Sequence, residues 1–87
     1  MKFINVGFGN LVSASRIVTI ATPDSSPIRR LIQDSRDIGN VIDVSCGKKT
    51  QSVIITDNKL VILSCLSTEH LLTKLNDKND DSAQDTE

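Results

Sequence analysis

Two apolar runs without alternation, Val53-Ile54-Ile55 and Leu60-Val61-Ile62-Leu63, constrain this chain more than any other feature. A strand with one face in water alternates apolar and polar residues, whereas an unbroken apolar strand is covered on both faces. Asp57-Asn58 between the runs marks a tight hairpin, so the two strands are neighbours that both need cover above and below. The chain has 87 residues, enough for one domain and little spare material. One helix covers one face of a sheet. The other face falls to a short C-terminal helix or to a second copy of the chain. Self-association beyond a dimer is the economical expectation, with cover by the C-terminal helix within one chain as the alternative.

The remaining elements follow from local signals. Ile, Val and Leu together number 25 while Phe3 and Phe8 are the only aromatics, a balance that favours strands. Strands are expected over 2–6, 11–13, 17–21, 41–44, 51–56 and 60–65. Gly7-Phe8-Gly9-Asn10 reads as a turn or bulge, and Arg16 lies at or just before the head of the third strand. Ser26 is expected to cap a central helix with Pro27 at its first position, and Ile28, Leu31, Ile32 and Ile38, completed by Ser35, form its inner stripe. Gly39 ends it. Ser67 is expected to cap a last short helix through Leu75, with Leu71, Leu72 and Leu75 on its inner face. The expected class is α+β: a small, mostly antiparallel sheet with a central helix and a short C-terminal helix.

Net charge is −1, but its distribution divides the chain. Residues 77–87 carry five acids and one Lys, a net −4, against nine Lys or Arg and six acids in residues 1–76, a net +3. A basic domain over 1–76 therefore bears an acidic tail over 77–87, read as disordered and solubilising. A sharper reading is that the tail competes with DNA for the basic face. Cys46 and Cys65 have no metal or redox spacing and are expected to be reduced thiols. The N-terminus lacks a signal-peptide apolar run and no stretch has the length of a membrane span, so the expected location is cytoplasmic.

Catalytic chemistry has little to work with. The one His, His70, lacks the partners of a zinc site, and no nucleophile–base pair is evident. Gly7-Phe8-Gly9 lacks the third Gly and the following helix of a nucleotide loop. No enzyme activity, cofactor, metal or small-molecule substrate is expected. What remains is cations. Arg16 stands beside a strand, Arg29 and Arg30 open the central helix, and Lys48 and Lys49 follow Gly47 in a turn. Phosphate contact is one use of such positions, and simple solvation is the other. With two Phe, stacking of single-stranded bases is the weaker use.

Longer stretches resemble the RemA family of bacterial extracellular matrix regulators. These are Lys2-Phe3-Ile4-Asn5-Val6-Gly7-Phe8-Gly9-Asn10, Val12-Ser13-Ala14-Ser15-Arg16, Pro23-Asp24-Ser25-Ser26-Pro27-Ile28-Arg29-Arg30, Ile32-Gln33-Asp34-Ser35-Arg36-Asp37, Gly47-Lys48-Lys49-Thr50 and the hairpin from Val53 to Ser64. The resemblance runs over about residues 2–66. It implies a transcriptional regulator that binds double-stranded DNA, in some bacteria activating biofilm-matrix and osmoprotectant genes. It also implies a fold similar to LytTR-type DNA-binding domains, assembled into a homo-oligomeric ring with DNA along its basic periphery, and hence a nucleoid-associated protein. Arg16 matches a family arginine tied to DNA binding, and Lys48 and Lys49 match a family arginine pair. Lys for Arg keeps the charge but loses the planar fork that makes bidentate contacts. Cys46 stands where the family has an aromatic, and Gln51 where it is commonly basic. The alternative to a DNA-binding ring is a structural or scaffolding ring that binds no DNA.

The tail contains no Ile, Val, Leu or Phe and has nothing to add to a core. A chain ending at Asn76 is expected to keep its melting temperature and its oligomeric state, as measured by calorimetry and light scattering.

Overall fold

The computed structural model describes residues 2–77, and the expected disorder of the tail lies outside them apart from Asp77. The element order is β1 (Phe3–Asn5), β2 (Leu11–Ser13), a single 3-10 turn (Ala14–Arg16), β3 (Ile17–Ala21), α1 (Ser26–Asp37), β4 (Val41–Asp43), β5 (Ser52–Thr56), β6 (Val61–Ser64) and α2 (Thr68–Asn76). β1 and β2 form an antiparallel ribbon of their own, and the main sheet has four strands in the order β3-β5-β6-β4. The α+β class expected from the sequence is what the chain adopts. Two details differ: there are two sheets rather than one, and β4 pairs with β6 in parallel.

That parallel pair explains the layout. β3 runs antiparallel to β5, and β5 antiparallel to β6, so β3 and β4 point the same way at opposite edges. Parallel strands need a long crossover, and α1 is that crossover. The β5–β6 hairpin fills the two central places between them.

The central hairpin is covered twice, as its composition demands. On one face Val53, Val61 and Leu63 are buried with Ile28, Leu31 and Ile32 of α1 packed against them. On the other face Ile54 and Ile62 join Ile4 and Val6 of the N-terminal ribbon, Val44, Leu66 and Leu71 of α2. The cover is therefore completed within one chain by the ribbon and α2 together. The expectation of self-association loses the motive it had in the hairpin, because the N-terminal ribbon supplies cover that the sequence reading did not assign to it.

Helix boundaries also shift. Ser25, not Ser26, is the α1 cap, accepting from the Ile28 N–H, so Pro27 takes the second helical position. Ile38 becomes the C-terminal cap and is 71% exposed, because the helix unwinds there before Gly39. In α2, Leu72 points outward and Lys74 is buried in its place. Residues three and four after Leu71 share its face, whereas Leu72 sits about 100° around the helix.

A buried hydrogen bond ties the ribbon to the sheet. Ser64 Oγ donates to the Val6 carbonyl at 2.6 Å and accepts from the Leu66 N–H at 3.0 Å. Its cross-strand neighbour Ser52 is also fully buried, yet its hydroxyl finds no hydrogen-bond partner among the described residues. The two serines should respond differently to the same change. Ser64→Ala leaves a buried carbonyl and N–H short of a partner and is expected to cost about 1–3 kcal/mol in urea unfolding. Ser52→Ala removes an unsatisfied group and is expected to be neutral or stabilising in the same assay.

Candidate nucleic-acid interface

Two glycine turns of the same kind carry one group of candidate side chains. Gly7–Asn10 closes with the Asn10 N–H on the Gly7 carbonyl at 3.0 Å, and Ser45–Lys48 closes with the Lys48 N–H on the Ser45 carbonyl at 3.0 Å. The central pairs, Phe8-Gly9 and Cys46-Gly47, all have positive φ, between 53° and 82°. That is the mark of the type I′ turn, which favours Gly and Asn, so Phe8 and Cys46 are held against their local preference. The first turn leads into a strand and not a helix, so it is a hairpin turn and not a phosphate loop.

The two turns meet. The Lys48 ammonium lies 5.5 Å from the centroid of the Phe8 ring, within cation–π range. Lys48 and Lys49 are both exposed. The strand before this turn is braced by Asp43, whose Oδ1 accepts from the Ser45 N–H at 2.9 Å and from the Ser45 hydroxyl at 2.6 Å. Those two bonds, the hydroxyl one first, hold the Asp43 carboxyl below its ordinary value of 3.8. Arg36 adds to the shift and burial opposes it.

Arg16 is elsewhere. It ends the 3-10 turn before β3, is exposed, and its guanidinium pairs with Asp57 at 3.3 Å. The Asp57 N–H also donates to the Arg16 carbonyl at 2.9 Å, fixing the two backbones together. Ile17 faces Thr56 at the C-terminal end of β5, while the lysine turn precedes the N-terminal end. A strand of this length rises about 13 Å between its ends. The structure thus does not gather Arg16 and the lysine pair into one cluster. It sets them at opposite ends of one strand.

Arg29 and Arg30 are exposed in the first half of α1. The helix leaves β3 after Ala21, which faces Val53, and its far end meets β6 through the Val61 N–H on the Asn40 carbonyl. The two arginines therefore lie toward the lysine-turn end of the sheet. Arg29 also donates to the Asp24 carbonyl at 3.0 Å, closing the loop that precedes the helix.

Sequence reading passed over Lys59 and Phe8. Lys59 is an exposed cation with φ of 70° in the β5–β6 turn, two residues from Asp57 and so at the Arg16 end. The turn spans Asp57 to Lys59 and is closed by the Thr56 N–H on the Leu60 carbonyl, so it is one residue longer than the Asp57-Asn58 pair suggests. No local signal marks Phe8 as a partner of Lys48, because the two belong to different turns. No helix among the described residues is long and apolar enough to cross a membrane.

Comparison with known proteins agrees on one family. The family model described as RemA-like, extracellular matrix regulatory protein A-like, matches residues 3–75. A relative in Geobacillus thermodenitrificans is 50% identical over 84 residues, covering 97% of each chain. One in Nitratidesulfovibrio vulgaris is 52% identical over 80 residues, 92% of this chain and 93% of its own. One in Clostridium perfringens is 47% identical over 87 residues, all of this chain and 98% of its own. Each carries the name "putative regulatory protein".

The Asp43 brace yields a pH prediction. Its folded-state value is lowered, so its contribution to stability is present above 3.8 and is lost as pH falls through the folded-state value. Asp43→Asn removes the charge and should flatten that acid limb, read as unfolding midpoints across the acid range. It should change little near neutral pH beyond a constant offset.

Proposed function

The chain belongs to the RemA-like family, and on that premise we propose that this regulatory protein holds double-stranded DNA as a ring-shaped homo-oligomer, in the cytoplasm and associated with the nucleoid. The names of its relatives point to regulation rather than catalysis. The observation that carries the DNA reading is the placement of exposed cations at both ends of β5, with Arg16 at one end and Lys48 and Lys49 at the other. One subunit thereby offers cations from two ends of the sheet to the phosphates of a duplex. Lys is a point charge on a flexible stem, suited to phosphate rather than to bidentate reading of base edges. Arg29 and Arg30 lie toward the lysine end and extend the same positive border or meet a neighbouring subunit.

The ring is supported by surface chemistry and no longer by the hairpin. Val18 on the outer edge strand β3 is 66% exposed, Ile38 71%, Leu72 56% and Leu11 50%. The outer edges of β3 and β4 have no strand partner among the described residues. Apolar groups and open edges on a domain this small favour contacts with further copies. A ring then repeats the same cations at each subunit, and linked weak contacts gain through effective concentration.

The test is DNA binding across a salt series. Affinity should fall steeply with salt, each phosphate contact adding roughly 0.9 to the log–log slope. Lys48→Ala with Lys49→Ala should weaken binding to all sequences about equally and flatten the slope, while both changed to Arg should retain or improve binding. An unchanged slope in an intact oligomer would move the DNA site away from the turn and favour a scaffold that holds no DNA. Light scattering of the purified protein is expected to give a mass above a dimer.

A further inference from the structure

An apolar cleft opens between the C-terminal half of α1 and the turn end of the β5–β6 hairpin. Its volume is about 420 Å³. Leu31 and Ile38 line it from the helix side and Ile55 and Val61 from the sheet side, together with the exposed Asp34 and Lys59. Ile55 is only half-buried there, although its β5 neighbours Val53, Ile54 and Thr56 are buried. Lys59 is held at the cleft by its backbone, whose N–H donates to the Thr56 carbonyl at 3.1 Å. A concave apolar surface of this size on a small domain marks a contact site.

The opposite face of the molecule carries a matching projection. α2 packs through Leu71 on the side of the sheet away from α1, and Leu72 stands exposed on it. Glu69 is exposed three residues earlier, on the same outward face of the helix as Leu72. Lys59 at the cleft and Glu69 at the projection have opposite charge, and neither side chain has an ion-pair partner among the described residues. The other residues of that outward face, Thr73 and Asn76, are uncharged and bring no repulsion to Asp34. Because cleft and projection lie on opposite sides of the sheet, a chain cannot bring its own Leu72 into its own cleft.

We propose that the cleft between α1 and the β5–β6 turn receives Leu72 of a second copy of this chain, with Glu69 of that copy set against Lys59. The contact joins two different surfaces, so each copy keeps a free Leu72 or a free cleft for the next. Head-to-tail contacts of this kind close into rings or run on as filaments, and they do not stop at a dimer. The inference rests on the oligomer part of the proposed function and specifies its subunit contact; it does not depend on DNA binding.

The experiment measures mass by analytical sedimentation of the full chain and of three full-length variants. One carries Leu72→Asp, one carries Ile38→Asp with Lys59→Glu at the cleft, and one exchanges charges through Lys59→Glu with Glu69→Lys. All the changed positions are exposed, so each variant is expected to keep its native helix and sheet content by circular dichroism. Leu72→Asp and the cleft variant should each raise the dissociation constant at least on the order of ten-fold, since each sets a carboxylate against apolar surface. The charge exchange should keep the native mass, whereas Lys59→Glu alone lowers it at low salt. In an equimolar mixture of Leu72→Asp with the cleft variant, each chain supplies the half that the other lacks. That mixture is expected to form a one-to-one dimer and nothing larger. A native mass that survives Leu72→Asp overturns the proposal while the oligomer stands on other surfaces. A mixture that stays monomeric overturns it as well. A native chain that is itself monomeric removes both this contact and the oligomer reading.

Discussion

Burial of the β5–β6 hairpin on both faces is the constraint on which the rest of the structure depends. Val53, Val61 and Leu63 need α1 over them, and Ile54 and Ile62 need the ribbon and α2 over them. Placing α1 on one face requires that it leave one edge of the sheet and return at the other, which sets β3 and β4 parallel at opposite edges. Placing the ribbon on the other face brings the Gly7–Asn10 turn against the Ser45–Lys48 turn. The contact between Phe8 and Lys48 is a by-product of core packing, not of local sequence.

The basic side chains are arranged by the same constraint. Three of the candidate cations stand outside the strands they precede, Arg16 before β3 and Lys48 and Lys49 before β5, while Arg29 and Arg30 lie in the first half of α1. Ends of elements are where a small sheet has surface to spare, since the interiors of its central strands β5 and β6 are committed to the core. Charge at these points costs little to keep in water and is ready for a partner with charges of its own. Two of the cations already have weak company, Asp57 for Arg16 and the Phe8 ring for Lys48. Exposed contacts of this kind hold a side chain in place without competing strongly with phosphate.

Strain collects in the turns. Phe8, Cys46 and Lys59 occupy the left-handed region where Gly or Asn is favoured. Two of them, Phe8 and Cys46, precede a glycine in type I′ turns, and the third closes the central hairpin. Non-glycine residues in this region are uncommon and persist where surrounding structure holds them. Here the holding structure includes the bonds of Asp43 to Ser45 and of Thr56 to Leu60. The turns that carry Lys48 and Lys59 are thus each tied by hydrogen bonds beside the residue with positive φ.

What the sequence determined by itself was everything written in local pattern. The unbroken runs in β5 and β6 announced a doubly covered hairpin, the spacing of Ile28, Leu31 and Ile32 announced α1, and Ser67 announced the start of α2. The uneven charge between residues 1–76 and 77–87 and the long resemblance over residues 2–66 were equally legible, and the family match over residues 3–75 agrees with the latter. What tertiary structure alone decided was partnership across distance. Which element covers the second face, whether β4 pairs in parallel, whether Leu72 or Lys74 is buried, and whether Arg16 lies with the lysine pair or a strand away all depend on which residues meet. A local pattern encodes the need of a strand or helix for apolar cover. It does not encode which of several equally apolar segments supplies that cover, because the hydrophobic effect is non-directional and the choice is made by the packing of the whole chain.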